Sequence, residues 1–395
     1  MKRKIIIPLV LFFLLLIFFV SIFGGGSRKV IFEWNSPSIN QEECDSIVLK
    51  VYVENSGSMD AYMCPGSDLK DAVFDYVSDL KKYAKSCGLY YINSKIIPFN
   101  GNLDLFIKNL TPSSFALYGG NRKSTDLRII IDSILKNDDS KTVSILVSDC
   151  ILDVSGNAKD YFGNCQVSIK NSFNNALTRL PALGVEILQL ESKFDGFWYC
   201  GQNSKKLSDV KRPYYIWIIG NQNHLAYLNS KVKVEEIIGG IKNYCAYAPA
   251  QSIPFNIDRT TYVVNHTGKI YPQISLNLNG SLQDEKVIEN VNNYKESNPL
   301  QMHIVSVQKI MATDDAYSHV VKLEIDDPGT LKSGVVSFSY PYLQNWIIEI
   351  NDSTGDIIHD NIKKTTGILY LIKGVAEAYK NNLNYGEVSF NIKNK

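Results

Sequence analysis

Three oxygen-bearing side chains stand at alternate positions directly after an apolar run: Glu54, Ser56 and Ser58, separated by Asn55 and Gly57. The run before them, residues 47–53 (IVLKVYV), is rich in β-branched and aromatic residues and reads as a strand. A near-continuous apolar strand suits the middle of a parallel sheet that is covered on both faces. Side chains two residues apart, just past a strand end, can converge on one point. In an open α/β sheet that point lies in the crevice where ligands bind. Carboxylate and hydroxyl oxygens together suit a hard divalent cation, Mg2+ or Mn2+.

Further oxygens lie downstream. Residues 119–124 (GGNRKS) lead to Thr125, which opens a helix whose buried stripe is Leu127, Ile130, Ile131, Ile134 and Leu135. A second apolar strand, residues 143–147, ends in Ser148 and Asp149. Over roughly residues 45–230 this pattern resembles the von Willebrand factor A-type family. Its metal-ion-dependent adhesion site opens with Asp-x-Ser-x-Ser after the first strand, adds a Thr from a later loop, and closes with an Asp after the fourth strand. The resemblance implies a metal set of Glu54, Ser56, Ser58, Thr125 and Asp149. It also implies an open position on the metal, filled by an acidic group of a protein ligand. Glu54 departs from the family, which has Asp there, and its extra methylene moves the carboxylate by about 1.5 Å.

Alternating strands and helices must position these residues. A helix is expected after residues 60–66, with Leu69, Val73, Tyr76, Val77, Leu80 and Tyr83 on its apolar stripe. Short strands at 89–92 and 95–99, a short helix at 103–110, a helix at 167–180 and strands at 185–190 and 213–219 follow. The expected fold is α/β, a doubly wound, mostly parallel sheet with helices on both faces. Two insertions interrupt it, residues 151–166 and 191–212. The second carries Phe194, Phe197, Trp198 and Tyr199 and reads as half of a hairpin. Those aromatics suit either a partner-binding surface or packing on a neighbouring domain.

From residue 246 the pattern changes to short alternating strands separated by turns such as Asn279-Gly280 and Asp327-Pro328-Gly329, as in a β-sandwich. One helix interrupts, with Leu369, Ile372, Val375, Ala376 and Tyr379 on one face, and residues 346–350 read as a strand. The expected domains are therefore a membrane segment at 1–26, a tether at 27–44, the α/β domain at 45–245 and the β-rich domain at 246–395.

The N-terminus carries Lys2, Arg3 and Lys4 ahead of residues 5–23, which hold no charge and approach the length of a bilayer span. Such a segment reads as a signal anchor that exports the rest of the chain to the periplasmic or extracellular side. The alternative is a signal peptide cleaved near Ser21, Gly24 or Gly26, which would release the chain. Seven cysteines, an odd number, leave at least one unpaired, and Cys44, Cys64 and Cys150 flank the site residues. A net charge of +1 argues against a dedicated nucleic-acid binder. None of the five histidines sits in a nucleophile or zinc motif, and no phosphate loop is present, so no catalytic constellation is recognised. The sequence thus points to a membrane-tethered binding or adhesion module with a protein partner. A metal-dependent hydrolase, or a scaffold with a degenerate metal-free site, is the alternative.

Overall fold

The computed structural model describes residues 28–38, 46–123, 125–154, 156–200, 203–310, 316–354 and 361–395. The expected membrane segment and Cys44 lie outside these. Among the described residues no helix is long and apolar enough to cross a membrane.

The chain is a mixed α/β fold. Its strands run β1 (Lys29–Trp34), β2 (Val48–Glu54), β3 (Ser86–Ile92), β4 (Ile96–Pro98), β5 (Thr142–Ser148), β6 (Leu183–Cys200), β7 (Asn203–Asn221) and β8 (Asn243–Tyr247). All but β1 form one seven-stranded sheet in the order β4-β3-β2-β5-β7-β6-β8. Strand β2 pairs in parallel with β3 and with β5, bringing Val51 beside Leu89 and Ile145. The expectation of a mostly parallel sheet is corrected: β4 lies antiparallel to β3 at one edge, and the direction also reverses beyond β5. Strand β7 lies antiparallel to both β5 and β6, and β8 antiparallel to β6. The reason is the insertion at 191–212. It is not a crossover but the body of a single hairpin, paired from Leu183 with Asn221 to Cys200 with Asn203. A parallel neighbour needs a crossover of a dozen or more residues, whereas a hairpin returns the chain antiparallel at once.

The sheet is covered on both faces because its strands alternate between two apolar sets. Val51, Val53, Ile145, Ile216 and Ile218 face the first helix, α1 (Leu69–Lys81). Tyr52, Leu146, Tyr215 and Trp217 face two longer helices further along the chain, α2 (Leu127–Asn137) and α3 (Ala158–Arg179). Helix α3 starts well before the expected residue 167, so half of the insertion at 151–166 is helical. Helix α4 (Gln222–Lys231) adds Leu225 and Leu228 to the first face.

The remaining strands are β9 (Phe255–Ile257), β10 (Thr261–Val263), β11 (Lys269–Ile270), β12 (Gln273–Leu276), β13 (Tyr294–Glu296), β14 (Met302–Lys309), β15 (His319–Asp326), β16 (Ser333–Ser339), β17 (Asn351–Asp352), β18 (Thr365–Thr366) and β19 (Asn384–Asn394). They form two antiparallel sheets, β10-β1-β19-β16-β13 and β11-β15-β12-β9 with β14 on β15, plus the small β17-β18 pair. Two expectations are corrected here. Residues 29–34, read as part of a tether, are a strand paired with β19 and β10, with Val30 and Phe32 buried. Residues 346–350, read as a strand, instead fall almost wholly in one helical turn, Asn345–Glu349, that buries Ile347 and exposes Ile348. An apolar run this short carries no decisive period.

Helix α5 (Ile368–Tyr379) docks the C-terminal half onto the α/β sheet. Gly374 permits the close approach: a Cβ there would stand 2.7 Å from the Cβ of Ile169 on α3. The Tyr379 hydroxyl donates to the Leu183 carbonyl at 2.8 Å, and the Leu152 N–H to the Thr366 carbonyl at 3.0 Å.

One buried acid gives the fold a pH dependence. Glu186 on β6 is fully buried and accepts from the Tyr244 hydroxyl at 2.5 Å and from Asn229 Nδ2 at 2.6 Å. Its Oε2 has no partner, and burial pushes the carboxyl up to about 7. A carboxyl whose pKa is raised on folding binds its proton more tightly in the native state. Its stabilising effect is complete below about 4.5 and declines as pH rises through about 7. We expect Glu186→Gln to flatten the fall in stability between these values and to gain up to about 3 kcal/mol at pH 8. Urea unfolding of both proteins across that range checks it.

Candidate functional site at the carboxyl ends of the parallel strands

The first loop leaves β2 with Glu54 as its last residue, 3% exposed. The Asn55 N–H still bonds the Ile92 carbonyl at 2.9 Å, so the strand pairing fixes the chain one residue beyond. Asn55 then locks sideways, accepting from Asn93 Nδ2 at 3.0 Å. The Ser56 and Ser58 hydroxyls are 2.9 Å apart. A 3-10 turn, Ser58–Met63, follows, and its buried Tyr62 donates to the Pro213 carbonyl at 2.5 Å and packs edge-on against Phe194. The hairpin thereby holds the turn that presents Ser58.

The second loop is clasped onto the first by Arg122. Its carbonyl accepts from the Gly57 N–H at 2.9 Å, its Nε donates to the Asn55 carbonyl at 2.7 Å, and its guanidinium forms a close ion pair with Asp60. Gly119 and Gly120 turn the chain through left-handed backbone, and Gly120 leaves no room for a Cβ beside Asn93. Thr125 follows, 7% exposed, and Asp126 caps α2 while pairing with Arg128. Asp60 and Asp126, the acids beside these two loops, are both ion-paired.

The third loop leaves β5. The Ser148 hydroxyl donates to Glu54 Oε2 in a short hydrogen bond and accepts from the Cys150 N–H at 2.8 Å. Asp149 is 2% exposed; its Oδ1 accepts from the Ile151 N–H at 3.1 Å, and its Oδ2 is buried without a partner.

The five sequence-selected residues thus meet. Burial, with Asp149 close by, holds the Glu54 carboxyl well above its ordinary range, against the pull of the Ser148, Ser56 and Thr125 hydroxyls. Burial also raises Asp149, opposed by the Ser58 hydroxyl, the Ile151 N–H and the Arg212 guanidinium. The Thr125 hydroxyl lies near enough to steady the Glu54 charge, yet completes no hydrogen bond of ordinary geometry. Two acids therefore share a buried site with two oxygens that have no protein partner, Thr125 Oγ1 and Asp149 Oδ2. Buried polar groups are normally satisfied, and an unpaired one costs about 1–3 kcal/mol. An all-oxygen set with this deficit suits a hard cation. Among the described residues no cluster of three or more His, Cys, Asp or Glu could hold a metal, so such a site depends on its hydroxyls.

No family model matches this chain, and no curated protein does.

Sequence reasoning missed Arg212, at the base of the hairpin arm. It is 1% exposed, lies 4.5 Å over the Trp198 ring and 5.4 Å from that of Phe194, and donates through Nη1 to the Ile362 carbonyl at 2.6 Å. A Lys-Arg pair ahead of an apolar strand reads as loop charge, and nothing in the sequence signals its burial. Of the cysteines around the site, Cys64 and Cys150 are free thiols.

Proposed function

We propose that this chain is a membrane-tethered, exported binding module of von Willebrand factor A type, whose strand-end site takes an acidic group of a protein partner through Mg2+ or Mn2+. The carrying observation is the convergence of two buried acids and three hydroxyls from three loops, with Thr125 Oγ1 and Asp149 Oδ2 unsatisfied. In this reading Ser56, Ser58, Thr125 and Asp149 hold the cation, and Glu54 joins them by exchanging its hydrogen bond from Ser148. The bound cation supplies an electrophilic point that attracts a partner's carboxylate. The chain's own residues orient it: Arg122 clasps two of the loops, and the hairpin walls one side. Phe197 and Tyr199 are 50% and 42% exposed, and Tyr199 lies over the Gly57 loop, giving the site an aromatic rim. The family reading, the β-sandwich reading of the C-terminal half and the export of the chain all belong to this proposal.

A metal-free scaffold is the second reading, and two observations favour it. Ser148 already bonds Glu54, and Arg212 supplies a positive charge near Asp149. A hydrolase has less support, because a catalytic metal site needs a positioned base or a second metal. Isothermal titration with Mg2+ and Mn2+ separates the readings. Binding heat with a matching rise in melting temperature supports the cation-dependent module. No heat and no thermal shift leaves the metal-free scaffold.

A further inference from the structure

We infer that one end of the β-rich half, the end where β1 begins, is seated on the headgroups of an anionic bilayer leaflet. This rests on the reading that residues 5–23 cross the membrane, and adds which face of the folded chain meets it. Five residue steps separate Phe23, the last of the apolar run, from Arg28. At full extension they reach at most about 18 Å. The headgroup layer of one leaflet takes up about 5–7 Å of that. Strand β1 starts at Lys29 and is locked at both edges, so it cannot swing away without breaking the sheet.

Hydrogen bonds and an ion pair identify what shares this end. Arg28 pairs with Asp327 at 2.8 Å, and the Lys395 N–H bonds the Lys29 carbonyl at 3.0 Å. The Thr330 N–H bonds the Asp327 carbonyl at 3.0 Å, and the Gln301 side chain reaches Thr330 at 2.7 Å. Gln301 follows Leu300, which is 87% exposed, the highest value among the exposed large apolar side chains. Val263, paired with Lys29, is 54% exposed. Lys29, Lys332 and Lys395 are exposed here, and among the described residues none of the three has an ion-pair partner. Exposed apolar side chains and unpaired lysines at one end of the fold, held within a headgroup's reach of a membrane span, match the chemistry of an anionic lipid surface. The same placement explains why Leu300 and Val263 tolerate exposure.

The test reconstitutes the full chain in vesicles of phosphatidylcholine, alone or mixed with phosphatidylglycerol. A photo-crosslinking amino acid is placed at position 300, 199 or 12. Lipid adducts at 12 and 300 but not at 199, with the adduct at 300 rising when phosphatidylglycerol is present, support the inference. Neutralising Lys29, Lys332 and Lys395 as Gln should weaken seating on the mixed vesicles on the order of a hundredfold. Lipid adducts at 12 with none at 300, or with a second copy of the chain captured at 300, overturn the seating and leave the tether standing. No lipid adduct at 12 removes the tether and the seating together.

Discussion

Asp149→Ala is expected to abolish the heat of Mg2+ binding and the metal-linked thermal shift, and to leave a folded chain. Asp149 supplies one of the two charged oxygen donors of the site and one of its two unsatisfied atoms. Outer-shell partners of metal ligands typically cost 10–100-fold in affinity when removed, and losing a charged direct ligand costs more. The fold should survive because Asp149 carries none of the strand pairing. Its removal also relieves the repulsion that raises Glu54. Ser56→Ala should weaken binding in the same direction. Glu54→Asp is the informative companion: shortening the side chain releases the bond from Ser148 and should tighten the cation. If it unfolds the chain instead, Glu54 belongs to a metal-free hydrogen-bond cluster. Calorimetry with circular dichroism on each variant reads both outcomes.

Arg212→Ala carries the largest expected loss of stability, about 3–5 kcal/mol. The guanidinium is almost fully buried, stacks over Trp198 and satisfies the Ile362 carbonyl. Its removal leaves a hole beneath two aromatic rings, an unpaired carbonyl, and Asp149 without its nearest cation. Arg212→Lys should recover little, because an ammonium offers neither the planar stacking face nor the fork. Urea denaturation at neutral pH measures the loss. If Arg212→Ala is within about 1 kcal/mol of wild type, the hairpin is held by its apolar contacts alone.

The parts of the fold that were legible are those set by side-chain type alone. Strands β2 and β5 declare themselves through β-branched runs, and α2 through its apolar period. Alternate spacing put Glu54, Ser56 and Ser58 at one strand end, and the structure places Thr125 and Asp149 beside them. Strand direction was not legible. The apolar residues of β7 bury equally well in either orientation, and only the continuous pairing of the hairpin reveals that they run antiparallel. Nor was the role of residues 29–34, because their partners in β19 lie some 360 residues away in the chain. Arg212 escaped for the opposite reason: its burial is arranged by rings on the facing arm, which no local pattern reports.

The most direct test of the central claim is an anomalous difference map from crystals of the full chain grown with Mn2+. A cation-dependent site gives a peak among the oxygens of Ser56, Ser58, Thr125 and Asp149, with Glu54 drawn away from Ser148. A map without a peak there, with Ser148 still bonded to Glu54, would contradict it.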